Sequence, residues 1–556
     1  MADFRRSIFV LAALIAVSGA ATTASAQVNI VCNASVANPP LLRSEGLAEN
    51  TGDVLLLCFG GSQTATLANI QIFLNTNVTS RILANGGTEA LLLVNDPAAN
   101  AQILNNNVYQ GVLVAQNSVA FQAVSIPSAI NGVSLRITNV RANANGLGVA
   151  GPTAPPNPVI ETISISSGVT ISNPNQTVGF VTRGLVLGVG STAFVTGSGA
   201  FQQCATTTAT AFTVNLSEGF PTAFKLQGGG TPGVPGAVNN TESGLIPGTS
   251  AAGGLAPIAG SGQADFGTRV QLTFQNVGAG ATVIVPTTIP AGSGTVVAPV
   301  NGVFASSTTL AVLVSGSNGT NATVGGFATS QLTNTSGVST AIYEIVATNS
   351  SAIDTLRVPV FVSFIANPGQ NLPALGTVTV SATFSPLSTV TTAVTAASGS
   401  VPRFANTGSA VNAFSINACA TNLLFPFVSN IAGFDTGLAI SNTSTDPFGT
   451  GTQAGSCTMN LYPGAGVVTT PTIATGTVYT TLLSSQAAGF QGYIIASCRF
   501  QYAHGFAFLT DGFGGPGRGL SQGYLALVIP DVNVTGGRAA SPLGGFIGNS
   551  GEQLGY

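Results

Sequence analysis

The chain has 556 residues, but Lys, Arg, Asp and Glu make up only 6% of them, against about 25% in an ordinary soluble protein. A nucleic-acid-binding protein needs a basic stripe to displace counterions from phosphate, and 14 basic residues at a formal net charge of −3 exclude that class. The composition predicts a folded protein with a nearly uncharged surface, and the length predicts roughly three to four domains.

The N-terminal segment 1–26 has the three parts of a secretory signal peptide. Arg5 and Arg6 form a basic start, an apolar stretch covers Ile8–Val17, and the small residues Ala24 to Ala26 precede a predicted cleavage site. This apolar stretch is shorter than the ~20 residues that span a bilayer, and no later stretch is long enough. We therefore predict an exported protein, secreted or at the cell surface, without a transmembrane helix.

The 6 cysteines all follow the predicted cleavage site. We predict disulfides between Cys32 and Cys58 and between Cys457 and Cys498, because each pair brackets one compact segment in an oxidising compartment. Cys204 and Cys419 form a third disulfide or are buried free thiols. With one histidine, no CxxC motif and no cluster of carboxylates, the sequence predicts neither a metal site nor a cofactor.

Apolar and polar residues alternate with a period of two along most of the chain, which is typical of half-buried antiparallel strands. No comparable stretch has a helical period. Short strands between turns rich in Gly, Asn and Ser predict an all-β protein with several β-sandwich, immunoglobulin-like domains in tandem. Clear examples of the alternation are 133–138, 212–216, 270–275, 356–364 and 377–384.

The predicted domain boundaries follow shifts in composition, and the turn residues between them are abundant. Residues 27–290 form one or two N-terminal β domains, with a flexible, exposed, Gly-rich insertion near 228–262. Residues 291–405 form an immunoglobulin-like sandwich, and residues 406–536 form a C-terminal sandwich. Residues 537–556 are a loose tail rich in Gly and Ser.

Two side chains are the candidates for chemistry. Asp435 lies in a Phe-Asp-Thr-Gly sequence that matches aspartic proteases, but that mechanism needs two such aspartates and the chain has no second copy of the motif. His504 is the only histidine and alternates with aromatic residues. The sequence has no credible nucleophile elbow to supply a partner serine. We interpret Asp435 as a turn residue and His504 as a half-buried structural histidine, and predict no enzymatic activity.

The C-terminal region resembles a module of uncharacterised secreted β-rich proteins of environmental bacteria. The resemblance rests on the segments 423–430, 433–443, 489–496 and 500–508, which include Gly-Phe-Asp-Thr-Gly-Leu-Ala-Ile-Ser-Asn-Thr. No activity is attached to that family. The resemblance therefore implies a compact exported module and no site residues.

A neutral surface of hydroxyls and amides lowers the repulsion between copies of a protein. We therefore predict an exported structural or adhesive protein of a surface layer, filament or matrix. Its partners are copies of itself or other surface proteins. The first alternative is an extracellular polysaccharide-binding protein, since exposed aromatic rings can stack on sugars. The second alternative is a secreted hydrolase centred on Asp435 or His504.

Overall fold

A computed structural model describes residues 29–529 with gaps at 62, 152–153, 167, 191–199, 204–206, 229–240, 249–257, 292–308, 366–372, 418, 448–451, 465 and 513–518. The predicted signal peptide and C-terminal tail lie outside the described residues. Within them, helix is confined to 3-10 turns at Ala99–Ala101 and Ala144–Leu147 and an α-helical turn at Leu483–Gln486. The predicted all-β class, with several sandwiches, is confirmed.

The first unit is a sandwich of two six-stranded sheets. One sheet has the order β13-β1-β4-β10-β6-β7 and the other β2-β14-β12-β5-β9-β8, while β3 and β11 form a separate two-stranded ribbon. The strands of this unit are β1 (Ile30–Ser35), β2 (Leu41–Arg43), β3 (Glu49–Asn50), β4 (Val54–Gly60), β5 (Thr66–Leu74), β6 (Leu91–Val94), β7 (Val108–Gln110), β8 (Val112–Ala115), β9 (Ser118–Ile126), β10 (Ala129–Thr138), β11 (Arg141–Ala142), β12 (Asn157–Ile165), β13 (Val169–Ile171) and β14 (Asn175–Thr182).

Alternation accounts for the core of this sandwich. In β4 the residues Val54, Leu56 and Cys58 face inward and are fully buried. The opposite sheet contributes residues such as Ile70 and Ile72 of β5 to the same apolar cluster. Because side chains point to opposite faces along a strand, the intervening residues of β4 point to solvent.

The second unit is one 14-stranded sheet that folds into two layers around a single core. The layers meet at β20, which pairs with β21 of one layer and contacts β26 of the other. The strands of this unit are β15 (Leu185–Gly190), β16 (Ala200–Gln202), β17 (Thr207–Glu218), β18 (Arg269–Gln275), β19 (Thr282–Pro286), β20 (Thr288–Ala291), β21 (Thr309–Ser315), β22 (Ser317–Val324), β23 (Phe327–Leu332), β24 (Asn334–Thr335), β25 (Val338–Ala347), β26 (Thr355–Phe364), β27 (Gly376–Ser385) and β28 (Val411–Asn417).

The sequence-based boundaries at 290/291 and 405/406 differ from this arrangement. The first falls inside β20, and β18 pairs on both sides with strands from beyond it, β25 and β27. The second separates β27 from β28, which are hydrogen-bonded neighbours. The described strands between residues 185 and 417 thus form one sandwich, because strands distant in sequence share its sheet and core.

The third unit is a smaller sandwich of a five-stranded sheet, β32-β31-β34-β29-β37, and a four-stranded sheet, β33-β30-β35-β36. Both sheets contribute to one core. Its strands are β29 (Thr421–Ser429), β30 (Asp435–Asn442), β31 (Cys457–Tyr462), β32 (Gly466–Thr469), β33 (Val478–Leu482), β34 (Gln491–Cys498), β35 (Ala503–Thr510), β36 (Ser521–Leu525) and β37 (Leu527–Ile529).

Both predicted disulfides are present, and each joins directly opposed residues of neighbouring antiparallel strands. Cys32 of β1 is bonded to Cys58 of β4, and Cys457 of β31 to Cys498 of β34. Cys419 is also disulfide-bonded, so the free-thiol alternative is wrong for this residue. Cys204 lies outside the described residues.

Candidate functional site

Half of the charged side chains of the described residues are buried, and few of the others are fully exposed. Those classed as exposed are Arg183, Asp265 and Arg499. The buried ones cluster mainly where the first and second units meet. They are Arg43, Glu45, Glu49, Arg81, Glu89, Arg141, Glu161, Glu218, Lys225, Glu242, Asp354 and Arg403.

Arg43, at the end of β2, is the centre of this cluster and is fully buried. Its guanidinium donates to Glu49 at 2.6 Å and to Glu242 at 2.7 Å. It also lies over the rings of Phe384 and Phe404, 5.2 and 4.7 Å from their centroids. A planar guanidinium between two carboxylates and two aromatic faces joins the first unit to the second through one side chain.

Glu49 receives a second cation from the second unit. The ammonium of Lys225 lies 3.1 Å from Glu49 Oε2. Burial alone raises the pKa of Glu49, but the charges of Arg43 and Lys225 outweigh it and hold the pKa at about 2. The hydroxyl of Thr268 donates to Glu242 at 2.6 Å. Glu49 is therefore ionised at neutral pH.

A second set of ion pairs, one buried and one at the surface, extends the contact. Arg141 binds Glu89 at 2.9 Å and donates to the backbone carbonyl of Glu242. Arg81 pairs with Asp265, whose carboxylate also accepts the backbone N–H of Val401. Arg141 and Arg81 of the first unit therefore each contact a segment of the second unit.

Part of this cluster lies in the segment near 228–262 that the sequence analysis predicted to be exposed. In its described portions the prediction is wrong: Glu242 is 2% exposed, and Leu245 and Ile258 are each 1% exposed. Both apolar residues pack with Leu91 and Leu93 of the first unit. Abundant Gly and Pro indicate the absence of regular secondary structure, and they do not by themselves indicate contact with solvent.

A cavity of about 470 Å³ lies beside the cluster, between the units, and its walls include Asn50, Asp53, Arg136 and Lys225. Asp53 lies 3.6 Å from Arg136, and its Oδ2 and the Oδ1 of Asn50 are buried without a hydrogen-bond partner. Burial raises the pKa of Asp53. Most of the cavity lining is apolar, and the cations on its walls, Arg136 and Lys225, are each paired with a carboxylate.

Glu161 of β12 is a buried carboxyl of a different kind. It is fully buried, and neither carboxylate oxygen has a hydrogen-bond partner. Burial, with a smaller contribution from the charge of Asp53, raises its pKa to about 8. It is therefore mostly protonated at neutral pH.

The strands at the ends of the described sheets carry neither an exposed charged residue nor a proline. Natural proteins usually protect such edges with charges, prolines or bulges, because an unpaired edge can pair with another chain. Here the exposed residues on these edges are hydroxyl, amide or apolar ones, and register shifts interrupt the pairing of β8 and β22. The most exposed edge strands are β8, β22, β32, β33 and β36.

The four-stranded sheet of the third unit carries large apolar side chains on both faces. Its inner face packs small residues of β35 against the core, where a Cβ added to Gly505 would lie 2.7 Å from the ring of Phe425. Phe506 and Phe508 consequently point outward, and Phe506 is 42% exposed. We call this solvent-facing side, formed by β33, β30, β35 and β36, the outer face.

The structure does not bring the two candidate residues for chemistry together. In the ladder of β30 and β35, Asp435 pairs with Thr510 at one end and His504 with Ser441 near the other, on the order of 20 Å apart. Asp435 is half-buried and accepts the backbone N–H of Ser484 at 3.1 Å. Its carboxylate thus caps the helical turn Leu483–Gln486.

His504 is half-buried and lies on the outer face in register with Ser441. The part of the chain that the structure describes contains no group of three or more His, Cys, Asp or Glu able to hold a metal ion. Among the same residues, no helix is long and apolar enough to cross a membrane. Asp435, interpreted above as a turn residue, is the first residue of β30. The features that sequence reasoning missed are the buried ion pairs and the outer face.

No model of a known protein family and no curated protein matches the chain. Among solved structures, it is similar to a serine-rich repeat protein of Streptococcus agalactiae, with 9% identity, a TM-score of 0.17, and coverage of 64% of this chain and 87% of the other. The CupB6 tip adhesin of Pseudomonas aeruginosa gives 9% identity, a TM-score of 0.15, and coverage of 68% and 99%. At these TM-scores the likenesses carry no argument about this chain.

Proposed function

We propose that this chain is an exported structural or adhesive protein that acts through protein–protein contact, as a component of a surface layer, filament or matrix. Export is supported by the predicted signal peptide and by the disulfides at Cys32–Cys58 and Cys457–Cys498, since disulfides persist in oxidising compartments. Neither enzymatic nor nucleic-acid chemistry is part of the proposal.

One observation carries this proposal: the edge strands of the described sheets have no exposed charge and no proline, while half of the described charged residues are buried. In β36, for instance, every residue except Tyr524 is exposed, none is charged, and the pairing with β35 has no bulge. An edge of this kind offers free N–H and C=O groups to another strand without electrostatic repulsion. Such edges favour association, whereas a protein selected to remain monomeric usually protects them.

The experiment compares assembly of the mature chain, residues 27–556, with that of a variant charged at three edges. Its substitutions are Thr323→Lys in β22, Val467→Lys in β32 and Gln522→Lys in β36, all exposed positions. Sedimentation velocity and negative-stain imaging follow both proteins with increasing concentration. We expect ordered oligomers or sheets for the unmodified chain and a shift to monomer for the variant.

The matched control places three lysines on exposed positions of central strands. These are Leu57→Lys in β4, Gln275→Lys in β18 and Gln491→Lys in β34. It adds the same charge and has the same mixture of polar and apolar starting residues. If the control disperses the assembly as well as the edge variant does, net charge rather than edge contact governs association. An unmodified chain that stays monomeric contradicts the proposal.

A stacked pair of tyrosines favours polysaccharide binding as a second candidate function. Tyr462 of β31 and Tyr493 of β34 are each 40% exposed, and their rings stack with centroids 5.0 Å apart. Exposed aromatic rings offer a flat apolar surface for a sugar ring. We expect retention of the mature chain on an insoluble glycan to be lost in Tyr462→Ala with Tyr493→Ala, and retained in Tyr479→Ala. Equal retention of all three proteins contradicts this candidate.

A further inference from the structure

The outer face of the third unit is apolar, although an antiparallel sheet usually presents polar residues to water on its outer side. Its rows of side chains follow the strand register: Gly437 lies between Leu482 and Phe508, and Ala439 between Thr480 and Phe506. Leu525 of β36 continues the second row and is 74% exposed. An apolar face on both sides of a sheet indicates that both faces are covered in the functional state.

The outer face has a ridge beside a groove. Gly437 and Ala439 have the smallest side chains and lie on β30, where a groove runs between Leu482 on one side and Phe506 with Phe508 on the other. The ridge is the pair of phenylalanines on the neighbouring strand, β35. Ridge and groove are therefore one strand spacing, about 4.8 Å, apart. A two-fold axis near this point places the ridge of each copy over the groove of the other.

The electrostatics and the size of the face fit a second copy of the same chain. The outward residues of the three central rows carry no charged side chain, and His504 is the titratable one among them. Two copies of the face therefore meet without like-charge repulsion. The strands β30 and β35 have eight residues each, and β33 and β36 have five each. At about 4.8 Å between strands and 3.3 Å per residue, this gives about 400 Å² on each copy. The total of about 800 Å² is that of a weak, reversible contact.

We propose that this face is a homotypic interface, in which Phe506 of one copy packs over Gly437 and Ala439 of a second copy, and the reverse. The inference rests on the proposed function and specifies one of its contacts. It identifies the partner at this face as another molecule of this chain. The sheet edges then extend the assembly from pairs of chains joined at the third unit.

Two substitutions test the ridge and the groove separately in the mature chain. Phe506→Ser removes the ridge, and we expect at least a tenfold rise in the dimer dissociation constant measured by analytical ultracentrifugation. Ala439→Leu fills the groove while adding apolar surface, and we expect a similar weakening. Nonspecific hydrophobic association would instead be strengthened by Ala439→Leu, so that result overturns the proposal.

The control is Phe59→Ser on the first unit, where the side chain is 56% exposed and lies outside the proposed interface. We expect its dissociation constant to stay within twofold of the unmodified chain. Unchanged thermal unfolding of the third unit in each variant establishes that folding is intact. A variant that unfolds is replaced by Leu525→Ser, which removes an apolar side chain at the rim of the same face.

A photoreactive phenylalanine analogue at position 506 identifies the occupant of the face. With a mixture of light and heavy isotope-labelled chains, we expect cross-links between copies to the peptide that contains Gly437 and Ala439. Cross-links within one chain to residues 530–556, or to other proteins alone, overturn the proposal. If Phe506→Ser leaves assembly intact while charged edges abolish it, this inference fails and the proposed function stands. A chain that is always monomeric contradicts both.

Discussion

The junction of the first two units and the third unit use opposite means of stabilisation. At the junction, ion pairs such as Arg43–Glu49 and Arg141–Glu89 are buried between two sandwiches. The third unit has a cross-strand disulfide, Cys457–Cys498, and an outer face without an exposed charge. A chain with few charged residues can therefore use them for internal specificity and leave its outer surfaces neutral for contact.

Removing the central cation of the junction, Arg43, should have the largest effect on stability. We expect Arg43→Ala to destabilise the first two units by about 3–5 kcal/mol, because it leaves Glu49 and Glu242 buried without their partner. Urea unfolding followed by hydrogen exchange and mass spectrometry measures each unit separately. Exchange in the third unit should not change.

The matched control for this prediction is Arg499→Ala, which removes an exposed arginine of the third unit. We expect its effect to stay within about 0.5 kcal/mol. Equal effects of the two substitutions would show that the buried network contributes no more than a surface charge does, and the contrast between the regions would be lost.

We expect the disulfide to stabilise the third unit about as much as the buried ion pairs stabilise the junction. Replacing Cys457 and Cys498 together by Ala removes a cross-link between residues separated by 41 positions. The chain-entropy model gives a loss of roughly 4 kcal/mol. We expect the midpoint of urea unfolding to fall for the third unit alone. A fall that extends to the first two units would show that the units unfold as one.

The sequence predicted the strands well because alternation is a local property. The pattern of β27, in which Val378, Val380 and Phe384 are buried, is readable without knowledge of any neighbour. The cross-strand disulfides followed from spacing within compact segments. Strand neighbours and domain boundaries were beyond the sequence analysis, because β18 pairs with strands that lie far along the chain.

Two local signals had a different meaning in three dimensions. A proline within a strand, such as Pro359, usually indicates an edge or a bulge, but β26 pairs with β17 on one side and with β19 and β20 on the other. Its residues 357–360 lie between the contacts with β19 and β20, so the missing N–H of Pro359 costs little there. On β35 the small residues face the core and the aromatic ones face outward, because the ring of Phe425 leaves no room for a side chain at Gly505. The sequence of β35 alone does not show this crowding.

The stability of the first unit should depend on pH, because its buried carboxyl Glu161 has a raised pKa. Burial and the charge of Asp53 raise the pKa of Glu161 from 4.5 to about 8, so the folded state holds a proton that the unfolded chain releases. This contribution is fully present below pH 4.5 and is lost between pH 4.5 and about 8, at about 1.4 kcal/mol per pH unit. Urea unfolding at several pH values measures this slope in the first unit.

The variant Glu161→Gln keeps the shape of the side chain and removes the titration. We expect it to flatten the slope of the first unit while a smaller slope remains in the second, where burial raises the pKa of Glu218 to about 7. If Glu161→Gln leaves the slope of the first unit unchanged, Glu161 does not hold its proton in the folded state.

Salt gives the smallest expected effect and tests the outer surfaces directly. Interactions between exposed charges weaken as ionic strength rises, because the Debye length falls from about 10 Å at 0.1 M to 3 Å at 1 M. The edge strands and the outer face lack exposed charges, so we expect association measured by sedimentation to change less than twofold between 0.1 and 1 M NaCl. Ammonium sulfate should strengthen the association, since excluded salts favour apolar burial.

Dispersal by NaCl would mean that the few exposed charges, Arg183, Asp265 and Arg499, hold the copies together, and the neutral surface would not be the one that associates.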